Sequence, residues 1–149
     1  MSKEPLRMFA GRLGFLSNFT NVPHGVHGYP TVEHFFVAMK TTDQEVRDQI
    51  KEEMSPGRVK RMGRKLVLRP DWDDIKMSVM EYALNIKFRT GTDLAQALMD
   101  TGDEHLCEHN GWHDNDWGDC FCNNCVDRPG LNNLGILLMK RRAVLLKGV

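Results

Sequence analysis

The sequence predicts an α+β fold that is mostly α-helical, with a few short β-strands. Apolar residues recur at helical spacing in several segments, as at Ile75, Val79, Tyr82 and Ile86. Helix-starting signals such as Ser55-Pro56 separate these segments at short intervals. A chain of 149 residues can bury a sizeable core without metal or disulfide support. We therefore expect a single compact domain over residues 1–149.

The first 30 residues are predicted to contain little regular structure. Apolar residues nearly alternate over residues 6–9, which predicts a short strand, and Gly11 and Gly14 predict a turn after it. Prolines and glycines are frequent in residues 20–30, which predicts a loop.

Helices are predicted from Thr31 onward, because Thr31 is a suitable N-cap for a helix that runs through Lys40. Further helices are predicted over residues 43–54, from Pro56, and over residues 72–89, 93–99 and 133–146. A brief strand is expected at residues 105–109. Each of these helices is expected to bury one face, as described above for residues 72–89. The other residues expected to face the core are Val46, Ile50 and Met54 in the helix over residues 43–54, Val59, Met62 and Leu66 in the helix from Pro56, and Leu134, Leu137, Leu138, Arg141, Val144 and Leu145 in the last helix.

The composition excludes several classes of protein. The formal net charge is zero, so no global charge favours a nucleic-acid or membrane surface. The longest apolar runs, such as residues 136–139, are too short to cross a bilayer, and residues 1–7 lack the apolar core of a signal peptide. Three of the four cysteines lie within residues 120–125, a pattern that favours reduced thiols and a cytoplasmic location.

Residues 108–119 are the most unusual stretch. They contain almost no aliphatic side chain, yet they hold two of the three tryptophans and four carboxylates. A segment that cannot build a core but places large rings beside acids is better explained by a ligand than by packing.

Three other features allow both a structural and a functional interpretation. The string GFLSNF at residues 14–19 is either a core plug with a capping turn, or Asn18 offers its amide to a base beside a phenylalanine ring. Glu33 and Lys40 lie on one helix face, about 10 Å apart along the axis, where they are either solvated or grip two ends of a ligand. The basic run within residues 58–65 is either a solvated face or a phosphate-binding patch.

Four strings together resemble the NADAR (YbiA-like) family. They are GFLSNF at residues 14–19, VEH at residues 32–34 with Lys40 after it, E-x-N-x-W-x-D-x-x-W-G at residues 108–118, and G-x-N-x-L-G-x-x-L-M-x-x-R at residues 130–142. Each string alone is weak, but the four occur in the same order and span nearly the whole chain.

The resemblance implies a hydrolase that cleaves N-glycosidic bonds of ribose-phosphate or ADP-ribose adducts. The implied substrates are pyrimidine ribosides of the kind found in riboflavin biosynthesis, or ADP-ribosylated guanine, including guanine in nucleic acid. The alternative is a non-catalytic module that binds ADP-ribose or NAD. We expect no cofactor and no membrane partner.

Cleavage of a ribosyl C–N bond passes through an oxocarbenium-like sugar, which carboxylates can stabilise. The residues predicted to be catalytic are Glu33, Lys40, Glu108 and Asp114. Lys40 either binds a phosphate or the leaving base, or forms a Schiff base with an opened sugar. The residues predicted to contact substrate are Asn18, Phe19, Asn110, Trp112, Trp117, Asn132 and Arg142. The start of the last helix, after residues 130–132, is a further candidate site for phosphate.

The cysteine cluster is a rival focus. Cys120, Cys122 and Cys125, together with His113, are ligands of the type that zinc uses, and Cys107 is a fifth candidate. Their spacing is irregular and lacks the paired knuckles of common zinc sites. We therefore expect free thiols in a compact turn, keep a structural zinc as the alternative, and expect no catalytic metal.

Overall fold

A computed structural model of the protein describes residues 9 to 148. Within them lie one 3-10 helix, six α-helices and one pair of two-residue strands. The prediction of an α+β, mostly helical fold is therefore confirmed. The strand predicted for residues 6–9 falls almost entirely outside the described residues.

The described chain packs as two units, one formed by residues 18–89 and the other by residues 9–17 with 90–148. The single domain over residues 1–149 stays a prediction. The first of these units contains the helices α1 (Val32–Ala38), α2 (Gln44–Glu52), α3 (Pro56–Arg64) and α4 (Trp72–Lys87).

Helix α1 is the centre of the unit formed by residues 18–89. It contacts α2, α3 and α4, and six of its seven residues are buried. The exception is Glu33, which is half-buried. A helix that is enclosed on most sides holds its one accessible side chain in a fixed position.

The predicted start of α1 is confirmed, but its predicted end is wrong. The hydroxyl of Thr31 accepts the N–H of His34 at 3.1 Å, as an N-cap should. The helix ends at Ala38, so Lys40 lies beyond it. The N–H of Lys40 donates to the carbonyl of Val37, a tighter bond than an α-helix makes.

The next two helices also begin where the sequence predicts. Asp43 caps α2, and Ser55 with Pro56 starts α3. However, α2 ends at Glu52, and Met54 is 92% exposed. The prediction that Met54 is buried is therefore wrong.

The buried face of α4 differs from the predicted one. Tyr82 is 49% exposed, and Ile75, Val79 and Ile86 are only half-buried. The residues that α4 buries are Trp72, Met80, Ala83, Leu84 and Lys87. The apolar residues of α4 lie on most sides of the helix, so their spacing fits more than one buried face. The face predicted from spacing alone is not the one that the fold buries.

The other unit contains the 3-10 helix Gly11–Leu16, α5 (Asp93–Asp100), the strands β1 (His109–Asn110) and β2 (Asp119–Cys120), and α6 (Asn133–Lys147). Thr92 caps α5, and α5 packs against α6. The strand predicted at residues 105–109 is reduced to its last residue, which begins β1. The two strands are parallel, with His109 opposite Asp119 and Asn110 opposite Cys120.

Helix α6 covers the predicted range but buries one unexpected residue. Val144, predicted to be buried, is 52% exposed, whereas Arg142 is 7% exposed. Among residues 9–148, no helix has the length and apolar content needed to cross a membrane.

Gly135 on α6 is expected to tolerate no side chain. A Cβ at this position would lie 2.1 Å from the carbonyl oxygen of Leu106. We expect Gly135→Ala to lower the free energy of unfolding by roughly 1–3 kcal/mol or more, measured by urea denaturation followed by circular dichroism. Gly14→Ala is the control, because no heavy atom lies within 4 Å of its added Cβ. Equal unfolding midpoints for the two variants would contradict the expectation.

Candidate active site

The predicted site residues fall into two groups, each within one of the two units. The group in residues 18–89 consists of Asn18, Phe19, Glu33 and Lys40. The group in the other unit consists of Glu108, Asn110, Trp112, Asp114, Trp117, Asn132 and Arg142.

Asn18 lies next to the first turn of α1. Its backbone carbonyl accepts the N–H of Glu33 at 3.1 Å, and its side-chain Nδ2 lies 3.8 Å from the sulfur of Met80. Its Oδ1 is buried and has no hydrogen-bond partner among residues 9–148. A buried acceptor left unsatisfied costs about 1–3 kcal/mol, and a donor group of a ligand would satisfy it.

Phe19 offers an accessible ring in the same unit. It is 41% exposed, and the Nζ of Lys60 lies 6.0 Å from its ring centroid. An exposed phenylalanine beside a cation is an arrangement suited to stacking a nucleobase whose sugar carries a phosphate.

Lys40 occupies a half-buried turn after α1. Its Nζ lies 5.6 Å from the ring centroid of Phe36. Burial lowers the pKa of the Lys40 amine, the carboxylate of Glu33 raises this pKa, and the cations of Arg64 and Lys60 lower it further. The net effect is a decrease from the usual value, so the neutral, nucleophilic form is populated at lower pH than for a free lysine.

The backbone around Lys40 is held on both sides. Its carbonyl accepts the N–H of Arg69 at 2.8 Å. The Nε of Arg47 donates to the carbonyls of Ala38 at 3.1 Å and Thr41 at 2.9 Å. Arg47 was not among the predicted site residues, although a basic side chain close to a helix C-terminus is a recognised capping signal.

The basic run on α3 divides into members with different surroundings. Lys60 and Arg64, one helical turn apart, are the members whose charge acts on Lys40. Arg58 instead forms an ion pair with Glu53 at 3.4 Å. Lys60 and Arg64 are therefore the residues of the basic run whose surroundings connect them with Lys40.

In the other unit, Asn110 organises the stretch rich in tryptophan and carboxylate. Its side chain is fully buried. Its Nδ2 donates to the carbonyls of Glu108 and Asp114 at 3.4 and 2.7 Å. Its Oδ1 accepts the N–H groups of Trp112 and Asp114 at 3.2 and 3.1 Å. These four bonds use the hydrogen-bonding capacity of the amide and shape the backbone that carries Trp112 and Asp114.

Asp114 and Glu108 are both half-buried. Oδ1 of Asp114 accepts the N–H groups of Asp116 at 3.1 Å and Trp117 at 2.9 Å, which fixes the orientation of the carboxylate. Oε2 of Glu108 is a buried oxygen. Trp112 is 46% exposed, so much of its ring is accessible.

Asn132 and Arg142 make internal hydrogen bonds. Asn132 adopts a left-handed backbone conformation, accepts the N–H of Glu108 at 3.1 Å and donates to the carbonyl of Leu106 at 2.9 Å. Nη1 of Arg142 donates to Thr101 Oγ1 and to the carbonyl of Glu104, each at 2.8 Å. Direct contact of either residue with substrate stays a prediction.

The start of α6 does not offer the free amides that were expected to bind phosphate. The N–H groups of the three residues at this end donate to loop carbonyls. The pairs are Asn132 with Gly118, Asn133 with Asp116, and Leu134 with Trp117, at 3.0 to 3.1 Å. The prediction of a phosphate site there is wrong, because its donors are already used.

The chain matches the family model described as the NADAR domain over residues 8–146. It belongs to the NADAR family. The resemblance inferred from the four sequence strings is thus confirmed.

Three relatives show how far the similarity extends. N-glycosidase YbiA of Escherichia coli is 38% identical over 133 residues, which are 87% of this chain and 79% of YbiA. An N-glycosidase of Nostoc punctiforme is 38% identical over 138 residues, with 87% of this chain and 83% of that protein covered. A riboflavin biosynthesis protein of Vibrio vulnificus is 35% identical over 133 residues, 87% of this chain but 35% of that protein.

The fold is also similar to a solved structure. The NMR structure of the E. coli protein YbiA matches with a TM-score of 0.79 and 35% identity. The match covers 96% of this chain and 84% of YbiA.

The perturbed amine of Lys40 leads to a measurable prediction. We expect the rate of Lys40 acetylation by acetic anhydride, followed by peptide mass spectrometry, to reach its plateau at lower pH than that of a free lysine. Glu33→Gln should move the plateau to still lower pH, because the carboxylate raises this pKa. Glu45→Gln, which removes an exposed acid from the first turn of α2, is the matched control. A Lys40 profile identical to that of free lysine would show that burial does not affect the amine.

Proposed function

We propose that this protein is an N-glycosidase that hydrolyses the bond between a base and a ribose bearing a phosphate. The names of the relatives support the enzyme class, since YbiA and the Nostoc protein are both named N-glycosidases. The proposal adds two more specific claims, namely that the ribose bears a phosphate and that particular residues act in the reaction.

The environment of Lys40 is the observation that supports these specific claims. A half-buried amine with a lowered pKa lies near a carboxylate and two further cations, in the unit that also holds the unsatisfied oxygen of Asn18. Amines with lowered pKa values are suited to nucleophilic attack. Lys60 and Arg64 are side chains of the type that binds phosphate.

In the proposed reaction, the C1′–N bond breaks with both electrons passing to the base, which takes up a proton supplied by Glu33. The neutral amine of Lys40 bonds to C1′ through its lone pair and passes one proton to the carboxylate of Glu33. The C1′–O4′ bond then breaks as the nitrogen forms a double bond to C1′, and O4′ takes up that proton from Glu33, which leaves a protonated imine. Water adds to the imine carbon and gives a proton to the carboxylate of Glu33. The C1′–Nζ bond then breaks as the proton of the new hydroxyl group passes to the nitrogen, which releases the sugar aldehyde and regenerates the amine.

Asp114 and Glu108 are the other proposed catalytic groups, and they belong to the unit that contains α5 and α6. Carboxylates of this kind are suited to stabilise an oxocarbenium-like sugar. We propose that Asn18 contacts substrate through its amide oxygen, and that Phe19 in one unit and Trp112 and Trp117 in the other offer rings for stacking. Asn110 and Asn132 also have a positioning role in this proposal, since their hydrogen bonds hold the backbone of Asp114 and Glu108, and contact of Asn110, Asn132 and Arg142 with substrate remains part of the proposal.

The substrate classes of the proposal are phosphorylated pyrimidine ribosides and ADP-ribosylated guanine. The relative from Vibrio vulnificus, named as a riboflavin biosynthesis protein, supports the first class. A cytoplasmic location, inferred from the cysteine pattern, belongs to the same proposal.

Incubation with each substrate class, followed by chromatography of the freed base, tests the activity. We expect Glu33→Gln and Asp114→Asn each to lower kcat about a hundredfold or more. Asparagine at 114 can still accept both backbone N–H groups, so this variant removes charge while keeping the loop. Asp116→Asn, which changes an exposed acid of the same loop, is the control. Calorimetric binding without cleavage by the wild type would favour the non-catalytic ADP-ribose or NAD module.

Borohydride trapping separates the two roles of Lys40. If an imine forms, reduction during turnover attaches the ribose phosphate to the peptide that contains Lys40, and Lys40→Arg abolishes this adduct. Turnover without any adduct, at a rate that Lys40→Arg preserves, would assign Lys40 to phosphate binding instead.

The phosphate role of α3 gives a separate prediction. We expect Lys60→Gln and Arg64→Gln each to raise KM about tenfold, because each loses a charge-assisted hydrogen bond. Arg58→Gln is the matched control on the same helix, since Arg58 pairs with Glu53. With the dephosphorylated riboside as substrate, the three variants should behave alike. An equal KM effect on both substrates would exclude the phosphate contact.

A further inference from the structure

A cluster of three cysteines and one histidine lies next to the loop that carries Trp112 and Asp114. The ligand atoms of His113, Cys120, Cys122 and Cys125 all lie within 4.8 Å of one another. Cys120 and Cys125 are buried, Cys122 is half-buried, and His113 is exposed. Four soft or borderline donors at such mutual distances are the ligand set of a zinc site.

The fold brings these residues together from two segments. The pairing of β1 with β2 places Asn110 opposite Cys120, so His113, three residues beyond β1, returns to the end of β2. The N–H of His113 donates to the sulfur of Cys120 at 3.3 Å. A tight turn, closed by the N–H of Cys125 and the carbonyl of Cys122 at 3.0 Å, then presents the remaining two thiols.

The distances within the cluster fit a tetrahedral centre. Nδ1 of His113 lies 3.2 Å from the sulfur of Cys122 and 3.4 Å from that of Cys125. For ideal Zn–N and Zn–S bonds, a tetrahedron has N···S edges of about 3.5 Å. Little movement is therefore needed for these three atoms to share one ion.

Two backbone features also fit bound metal. Cys120 accepts N–H groups from His113 and, at 3.5 Å, from Cys122, as the sulfur of a metal-bound thiolate commonly does. His113 has φ of 68°, in the left-handed region, which costs a non-glycine residue about 1–2 kcal/mol. This conformation directs the imidazole toward the three sulfurs, and metal coordination would offset its cost.

We propose that Nδ1 of His113 and the thiolates of Cys120, Cys122 and Cys125 bind one structural Zn²⁺. Four protein ligands complete the tetrahedron and leave no position for water, which distinguishes a structural zinc from a catalytic one. Because His113 lies between Trp112 and Asp114 in the chain, the ion fixes the loop that presents both side chains. This proposal replaces the prediction of free thiols, and it does not depend on the glycosidase activity.

A second group of donors provides an internal comparison. Cys107, His109 and Asp119 also place their ligand atoms within 4.8 Å of one another. This group has three members rather than four, and Oδ1 of Asp119 accepts the N–H of Gly130 at 2.7 Å. Cys107 is also the one cysteine of the chain outside the four-residue cluster, so its replacement is a matched control for the loss of a thiol.

Metal analysis of the full chain, purified without added metal and then titrated with Zn²⁺ under reducing conditions, tests the proposal. We expect one zinc per chain. Cys122→Ser and His113→Ala should retain less than about one-tenth of that zinc, whereas Cys107→Ser should retain all of it. Wild-type protein that takes up no zinc, or that holds two of the cysteines as a disulfide by mass spectrometry, would overturn the proposal. Loss of zinc from Cys107→Ser alone would also overturn it, because the metal would then belong to the second group.

Cobalt substitution keeps the test valid if a variant unfolds. Co²⁺ added to the metal-free wild type should show thiolate charge-transfer and tetrahedral d–d absorption bands. His113→Cys should restore stoichiometric binding that His113→Ala loses, with the bands shifted toward an all-sulfur site. An octahedral Co²⁺ spectrum, or a spectrum unchanged in His113→Cys, would exclude His113 as a ligand.

Discussion

The stretch at residues 108–119 has to satisfy a partly buried backbone with almost no regular secondary structure. Among the described residues its only strand pairing involves two residues on each side, and the carbonyls of Asp116, Trp117 and Gly118 accept backbone N–H groups from the start of α6. Several of its remaining N–H and carbonyl groups depend on side chains for partners. Asn110 supplies four of these hydrogen bonds from one amide, and Asp114 supplies two more. Asp114 therefore has two roles, since its carboxylate accepts hydrogen bonds from the loop and is also a proposed catalytic group.

In the unit formed by residues 18–89, a helix positions the site residues. Helix α1 is short and mostly buried, its residue Glu33 is half-buried, and the helix ends two residues before Lys40. Arg47 and Arg69 then hold the backbone that follows. The position of Lys40 is thus set by backbone hydrogen bonds, while its chemistry is set by burial and by the charges of its neighbours.

Local chemistry explains which parts of the fold could be predicted. The N-caps at Thr31 and Ser55 could be predicted because a cap depends on residues within one helical turn. The buried faces of α4 and α6 were partly missed because burial depends on packing partners distant in sequence. Arg142 illustrates the problem, since its burial follows from Thr101 and Glu104, about forty residues away.

The candidate site could be predicted as a set of residues but not as a set of roles. The family strings selected Asn110 and Asn132, yet the internal bonding of their amides became visible only in the folded backbone. Lys60 and Arg64 could not be separated from the rest of their basic run, because their relation to Lys40 depends on the packing of α3 against α1.

That same packing is close at Gly63 of α3. A Cβ at this position would lie 3.1 Å from both methyl groups of Val37 and 3.5 Å from the Nζ of Lys40. Adding a single carbon at residue 63 would therefore displace the side chain of Val37 by a few tenths of an ångström and bring the carbon into van der Waals contact with the amine, without altering any ionisable group. The small size of residue 63 thus keeps α3 close to the end of α1 and to the lysine that follows it.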